Sequence, residues 1–190
     1  MTQPTPIDAQ IGALFLAQAR DRMDASCRLI RHCANQLDED QFWWRPRPSH
    51  NSVGNLVLHV TGNLRERLLT VVAGEPGVRD RAEEFACRGP IAKETILARL
   101  EEVVRECDQL LAALPVPRLL EARSYQGINR RFDLHVLSVI FQSLSHLAGH
   151  AQEIVFCTRL QVGDSYQFSN PPAGAPSPAP RSTEGEHRSP

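Results

Sequence analysis

The chain has 190 residues and a formal net charge of −1, with acids and bases interspersed. That balance lacks the basic stripe needed to bind nucleic acid or an anionic membrane surface, and no apolar run approaches the roughly 20 residues that span a bilayer. The five scattered cysteines form no Cys-x-x-Cys pair and read as small core residues of a reducing compartment. The opening Met1 to Pro6 lacks the basic head and apolar stretch of a signal peptide, so a cytoplasmic protein is expected.

The first helical stripe begins after Thr5-Pro6, where Thr5 can cap and Pro6 suits the first helical position. It runs through Ile11, Leu14, Met23, Cys27, Ile30 and Leu37. In the connector Phe42 to His50, Pro46 and Pro48 forbid helix, and the aromatic trio Phe42, Trp43 and Trp44 is expected to plug one end of the core. The second helix starts at Asn51 or Ser52 and ends near Ala73, before Gly74-Glu75-Pro76-Gly77. A link over residues 74–89 follows. The third helix opens at Gly89-Pro90, is strongly amphipathic through Leu114 and ends at Pro115.

A second long connector, Val116 to Arg131, has room for a short hairpin around Tyr125-Gln126-Gly127. The fourth helix is expected from Phe132 or Asp133 to Val162, with Gly163 as its C-cap. Six prolines fall in the last twenty residues, a composition that cannot bury enough apolar surface to order itself. The reading is one all-α domain over residues 1–165, a four-helix bundle with long crossover connections, and a disordered Pro-rich tail over 166–190.

Three histidines carry the chemistry. His146 and His150 stand at i and i+4 on the last helix, offset by about 6 Å of rise and about 40° of rotation. His59 lies at the edge of the second helix's apolar stripe, beside Leu56 and Val60. Together they would make a facial three-nitrogen site that suits a divalent transition metal and leaves positions open for water or substrate. Read singly, each is an ordinary hydrogen-bonded core histidine, and spacing alone leaves both readings open. His135 sits about 16 Å along the helix axis from His146 and cannot share that ion. Gln142 and Asn63 stand one turn from proposed ligands, within reach to hold an imidazole's second nitrogen. Gln152, Glu153, Asn55 and Glu66 are further candidates, while Arg45, Arg65, Arg67 and Arg130 are the available anion-binding groups.

The segments Ser52-Val53-Gly54-Asn55-Leu56-Val57-Leu58-His59 and Ser145-His146-Leu147-Ala148-Gly149-His150-Ala151-Gln152-Glu153-Ile154, with Trp43-Trp44-Arg45-Pro46 ahead of them, resemble the DinB-like superfamily over about residues 8–163. The resemblance implies an up-down-down-up bundle, often a homodimer, with nickel or zinc held by His59, His146 and His150. Some members resemble thiol S-transferases or thiol-dependent isomerases. The expectation is a metal-dependent enzyme acting on a small-molecule substrate, a thiol-dependent S-transferase or, as the closest variant, a hydrolase, with a low-molecular-weight thiol as co-substrate and no catalytic residue assigned beyond the ligands. The alternative is a non-catalytic, stress-associated metal-binding bundle or a dimeric interaction module.

Overall fold

The four apolar stripes close on one another as a bundle, except that Ile11 and Leu14 of the first, expected in the core, stay exposed near the start of that helix. A computed structural model describes residues 6–89, 91–127 and 129–169. In chain order the elements are α1 (Ile7–Ala34), α2 (Glu39–Trp43), α3 (Val53–Leu64), α4 (Arg81–Ala86), α5 (Lys93–Ala113), β1 (Ala122–Gln126), β2 (Arg131–His135) and α6 (Val136–Val162). Helix α3 continues without a break as a π-helical stretch, Arg65–Ala73, and 3-10 turns cover Val116–Leu120 and Gly163–Ser165. No helix among the described residues is long and apolar enough to cross a membrane.

The long helices pack in a ring in the order α1, α5, α3, α6. Their directions follow from the side chains that meet. Arg31, late in α1, pairs with Glu94 at the start of α5, and Arg20 pairs with Asp108 further along, so α1 and α5 are antiparallel. Cys33 at the end of α1 meets Tyr166 just beyond α6, so those two run parallel. His59 meets His146 and Asn63 meets Ser143, so α3 and α6 are antiparallel. The result is the up-down-down-up arrangement, with the long connectors making the crossovers.

Local chemistry sets the ends. Ser52 caps α3 through a reciprocal box with Asn55, each side chain bonding the other's backbone N–H. The π-helical stretch stops at Gly74, whose φ of 86° is left-handed, and Gly163 caps α6 as expected. Phe42 is wholly buried, Trp43 packs against the core and Trp44 stays exposed, so two of the three aromatics form the plug. Cys27, Cys33 and Cys107 are buried and all five cysteines are free thiols.

The structure corrects several boundaries. Helix α1 begins at Ile7 with Pro6 at the N-cap, one position later than read, and Thr5 lies outside the described residues. A one-turn helix, α2, extends to Trp43 within the segment assigned to the proline connector, because Asp38 and Gln41 form their own capping box. The third long helix starts at Lys93 rather than at Gly89-Pro90. The last helix starts at Val136, since Arg131–His135 pairs antiparallel with Ala122–Gln126, Tyr125 opposite Phe132. The ordered chain also passes the boundary drawn at 165. Tyr166 is buried and Gln167 N–H donates to Gln36 Oε1 at 2.7 Å, fixing this segment to α1. Residues 170–190, the rest of the proposed tail, lie outside the described residues.

Candidate metal centre

His59 projects from the middle of α3 and His146 and His150 from successive turns of α6. One ligand nitrogen from each lies within 4.8 Å of the others, against about 3.4 Å between imidazole nitrogens around a tetrahedral ion. The His146 and His150 rings are 4.5 Å apart centre to centre, and each lies about 5 Å from the His59 ring. His59 Nε2 and His146 Nε2 face each other at 3.0 Å. Two imidazole nitrogens at that distance need a hydrogen or a cation between them.

The opposite edges of two rings are held by carboxylates. His59 Nδ1 donates to Glu84 Oε2 at 2.9 Å, and His150 Nδ1 donates to Glu153 Oε2 at 2.8 Å. At His150 the acceptor-only carboxylate makes Nδ1 the donor, and at His59 the shorter contact to Glu84 does so over the 3.1 Å approach of Arg79 Nη2 to the same nitrogen. Each leaves Nε2 with its lone pair free, the tautomer a metal-ligating histidine needs. Glu84 is itself gripped by Arg79, whose Nε and Nη2 donate to its two oxygens at 2.6 and 2.8 Å. Arg79 also donates to Glu66 at 3.1 Å and to the His59 carbonyl at 3.2 Å.

Glu84 lies on the short α4, and the motif residues deliver it. Asn55 Nδ2 donates to the carbonyls of Glu84 and Cys87 at 2.8 and 3.0 Å. Arg45 donates to Asn55 Oδ1, to the Cys87 carbonyl and to the His50 carbonyl. Gly62 leaves open the space that the Glu84 carboxylate fills, and a Cβ there would collide with Glu84 Oε1. The segments around Arg45 and Asn55 therefore act on His59 by fixing the backbone that carries its partner.

Burial, reinforced by His150, His59, Arg79 and Arg67, pushes the His146 imidazole pKa down to about 4. It is neutral at physiological pH, with a nitrogen available to a cation. For Glu84, burial opposes ionisation, but the hydrogen bonds from His59 and Arg79 and the Arg79 charge prevail and hold it below the ordinary carboxylate range. His59 and His146 form part of the wall of a cavity of about 440 Å³, which is completed by the β-hairpin residues Tyr125 and Phe132 and by Arg67, Arg79 and Arg81.

The three histidines meet as the spacing predicts, but the two amides expected to support them make no hydrogen bond to their rings. Asn63 accepts a hydrogen bond from Ser143 at 3.3 Å, and Gln142 lines the cavity with its side chain exposed, unbonded to any site imidazole. Glu153 does support His150, Glu66 acts through Arg79, and His135 is exposed at the end of β2. Glu84 and Arg79 went unread in the sequence. They sit in a charged, aperiodic link, and the only local signal is the Asp80 cap that starts α4.

The bundle, with its up-down-down-up order, has the fold of a DinB-like protein. A crystal structure of a DinB-like protein from Bacillus subtilis, YjoA, shares the fold with a TM-score of 0.59 at 12% identity, over 80% of this chain and 96% of that one. Residues 10–174 match the family described as "Protein of unknown function (DUF1572)", and the chain belongs to that family. No curated protein matches it.

Proposed function

We propose that this protein is a metal-dependent enzyme whose single divalent ion, nickel or zinc, is held by His59, His146 and His150. The proposed reaction class is a thiol-dependent S-transfer or a hydrolysis on a small molecule. One observation carries the reading: three imidazole nitrogens converge within 4.8 Å of one another, and two of the three rings, His59 and His146, line a cavity of about 440 Å³. That volume lies within the range of small-molecule sites. Glu84 and Glu153 orient the ligands by accepting hydrogen bonds from Nδ1–H of His59 and His150. Bound there, the ion would supply Lewis acidity, lowering the pKa of a water or thiol at an open position.

A purely structural ion fits less well, because structural zinc takes four protein ligands and the cluster among the described residues has three. The test is elemental analysis of untagged protein beside His59→Ala, followed by titration of cobalt-substituted protein with a small thiol. About one ion per chain, lost in the variant, and a new thiol-to-cobalt absorption band are expected. Failure to take up nickel or zinc overturns the metal site. Uptake without any thiol response, together with a large loss of stability on chelation, would favour a staple.

A further inference from the structure

The cavity beside the histidines carries a cation without a matching anion. Of its lining residues Arg67, Arg79 and Arg81 are positive and Glu66 is negative. Arg79 is fully engaged with Glu84, Glu66 and the His59 carbonyl. Arg81 stands exposed at the rim, stacked on Phe85 at 4.7 Å.

Arg67 differs from both. Its side chain is only 18% exposed, yet its guanidinium makes no hydrogen bond, and its Nη1 is buried without a partner. Its nearest carboxylate, Glu66, lies 3.6 Å from Nε and already accepts from Arg79 at 3.1 Å. The guanidinium carbon sits over the Tyr125 ring, 3.7 Å from its centre, and Tyr125 is stacked in turn on Phe132. Stacking fixes the plane of the guanidinium while leaving its edge donors unused. A largely buried, positioned guanidinium with vacant donors is costly to keep unless an oxyanion completes it, and its fork geometry matches carboxylate or phosphate. The π-helical stretch Arg65–Ala73 contains both Glu66 and Arg67, and local widening of this kind is frequent at functional sites.

We propose that Arg67 is an anion-binding residue, and that the small molecule entering this cavity bears a carboxylate or phosphate group which pairs with it while the reacting part faces the histidines. The inference rests on the reading of the cavity as the substrate site, and its test does not require a metal. The side-chain Nε–H resonance of Arg67 in metal-free wild-type protein is assigned through its own side-chain correlations to the backbone and followed during titration with glutarate, with inorganic phosphate and with neutral 1,5-pentanediol. A saturable shift with glutarate, with phosphate or with both is expected, and which of them acts identifies the group. Pentanediol should leave the resonance unmoved, and Arg67→Lys should bind the active anion at least tenfold more weakly, read from backbone amides of the hairpin. An Arg67 resonance that ignores both anions, or that responds equally to the diol, overturns the proposal. Because wild-type protein gives the primary readout, a misfolded variant does not decide the matter. Loss of the metal reading alone would leave the Arg67 result standing.

Discussion

Replacing Glu84 by Gln separates the two carboxylates that orient the histidines. Glu84 is 10% exposed on the side chain and held by Arg79, whereas Glu153 is 46% exposed. Water replaces an exposed hydrogen-bond partner readily and a buried one poorly. Losing an outer partner of a ligating histidine typically costs 10–100-fold in metal affinity, which corresponds to about 1.4–2.7 kcal/mol. Glu84→Gln should fall in the upper part of that range. The neutral amide no longer stabilises an Nδ1–H imidazole as a carboxylate does, and half of Arg79's ion pairing goes with it. Glu153→Gln should fall in the lower part or below it. Zinc affinity is measured by competition with a chromophoric chelator, with circular dichroism confirming that each variant is folded. A folded Glu84→Gln that binds zinc as tightly as wild type, or a larger loss in Glu153→Gln, would refute the assignment of Glu84 as the partner that fixes His59.

Other outcomes follow from features far apart in the molecule. Gly62→Ala should weaken zinc binding although alanine favours helix by about 1 kcal/mol, since its Cβ displaces the Glu84 carboxylate; the same chelator competition, read beside the urea midpoint, tests the opposing signs. Phe42→Ala should cost about 3–5 kcal/mol of stability, measured by urea unfolding, because that ring is wholly buried in the core. The hydrogen bond and charge of Arg20 hold the Asp108 carboxyl below its ordinary pKa. Their contribution is present above the unfolded carboxylate pKa and is lost as pH falls through the folded one. Arg20→Gln should therefore reduce the acid-side loss of stability, seen in urea midpoints between neutral and acid pH. Ile7, Ile11 and Leu14 form an exposed i, i+4, i+7 stripe on α1. We propose that it contributes to a homodimer, so Leu14→Asp should convert dimer to monomer in sedimentation velocity, and a monomeric wild type would end that proposal.

What could be read in advance divides along physical lines. The long helices were legible because burial repeats every 3.6 residues, and that same repeat put His146 over His150 and His59 on an inward edge. The hairpin was visible only as a possibility at Tyr125-Gln126-Gly127. The apolar pattern of α6 runs back through Leu134 and Phe132, and only pairing with a second strand turns those residues out of the helix. The π-helical stretch has no signature either, since one additional residue per turn barely alters the local pattern. Glu84 lies 25 positions from His59 in a segment whose placement depends on Asn55 and Arg45 donating to its carbonyls. Those contacts exist only in three dimensions, and nothing about a glutamate among other charges announces them.

The site draws on two kinds of chain. Its Nε2 edge comes from α3 and α6, which also hold the core together, while its Nδ1 edge at His59 and much of the cavity wall come from the crossovers. Substitutions in the crossovers can therefore retune ion affinity or pocket selectivity while the chassis keeps its stability.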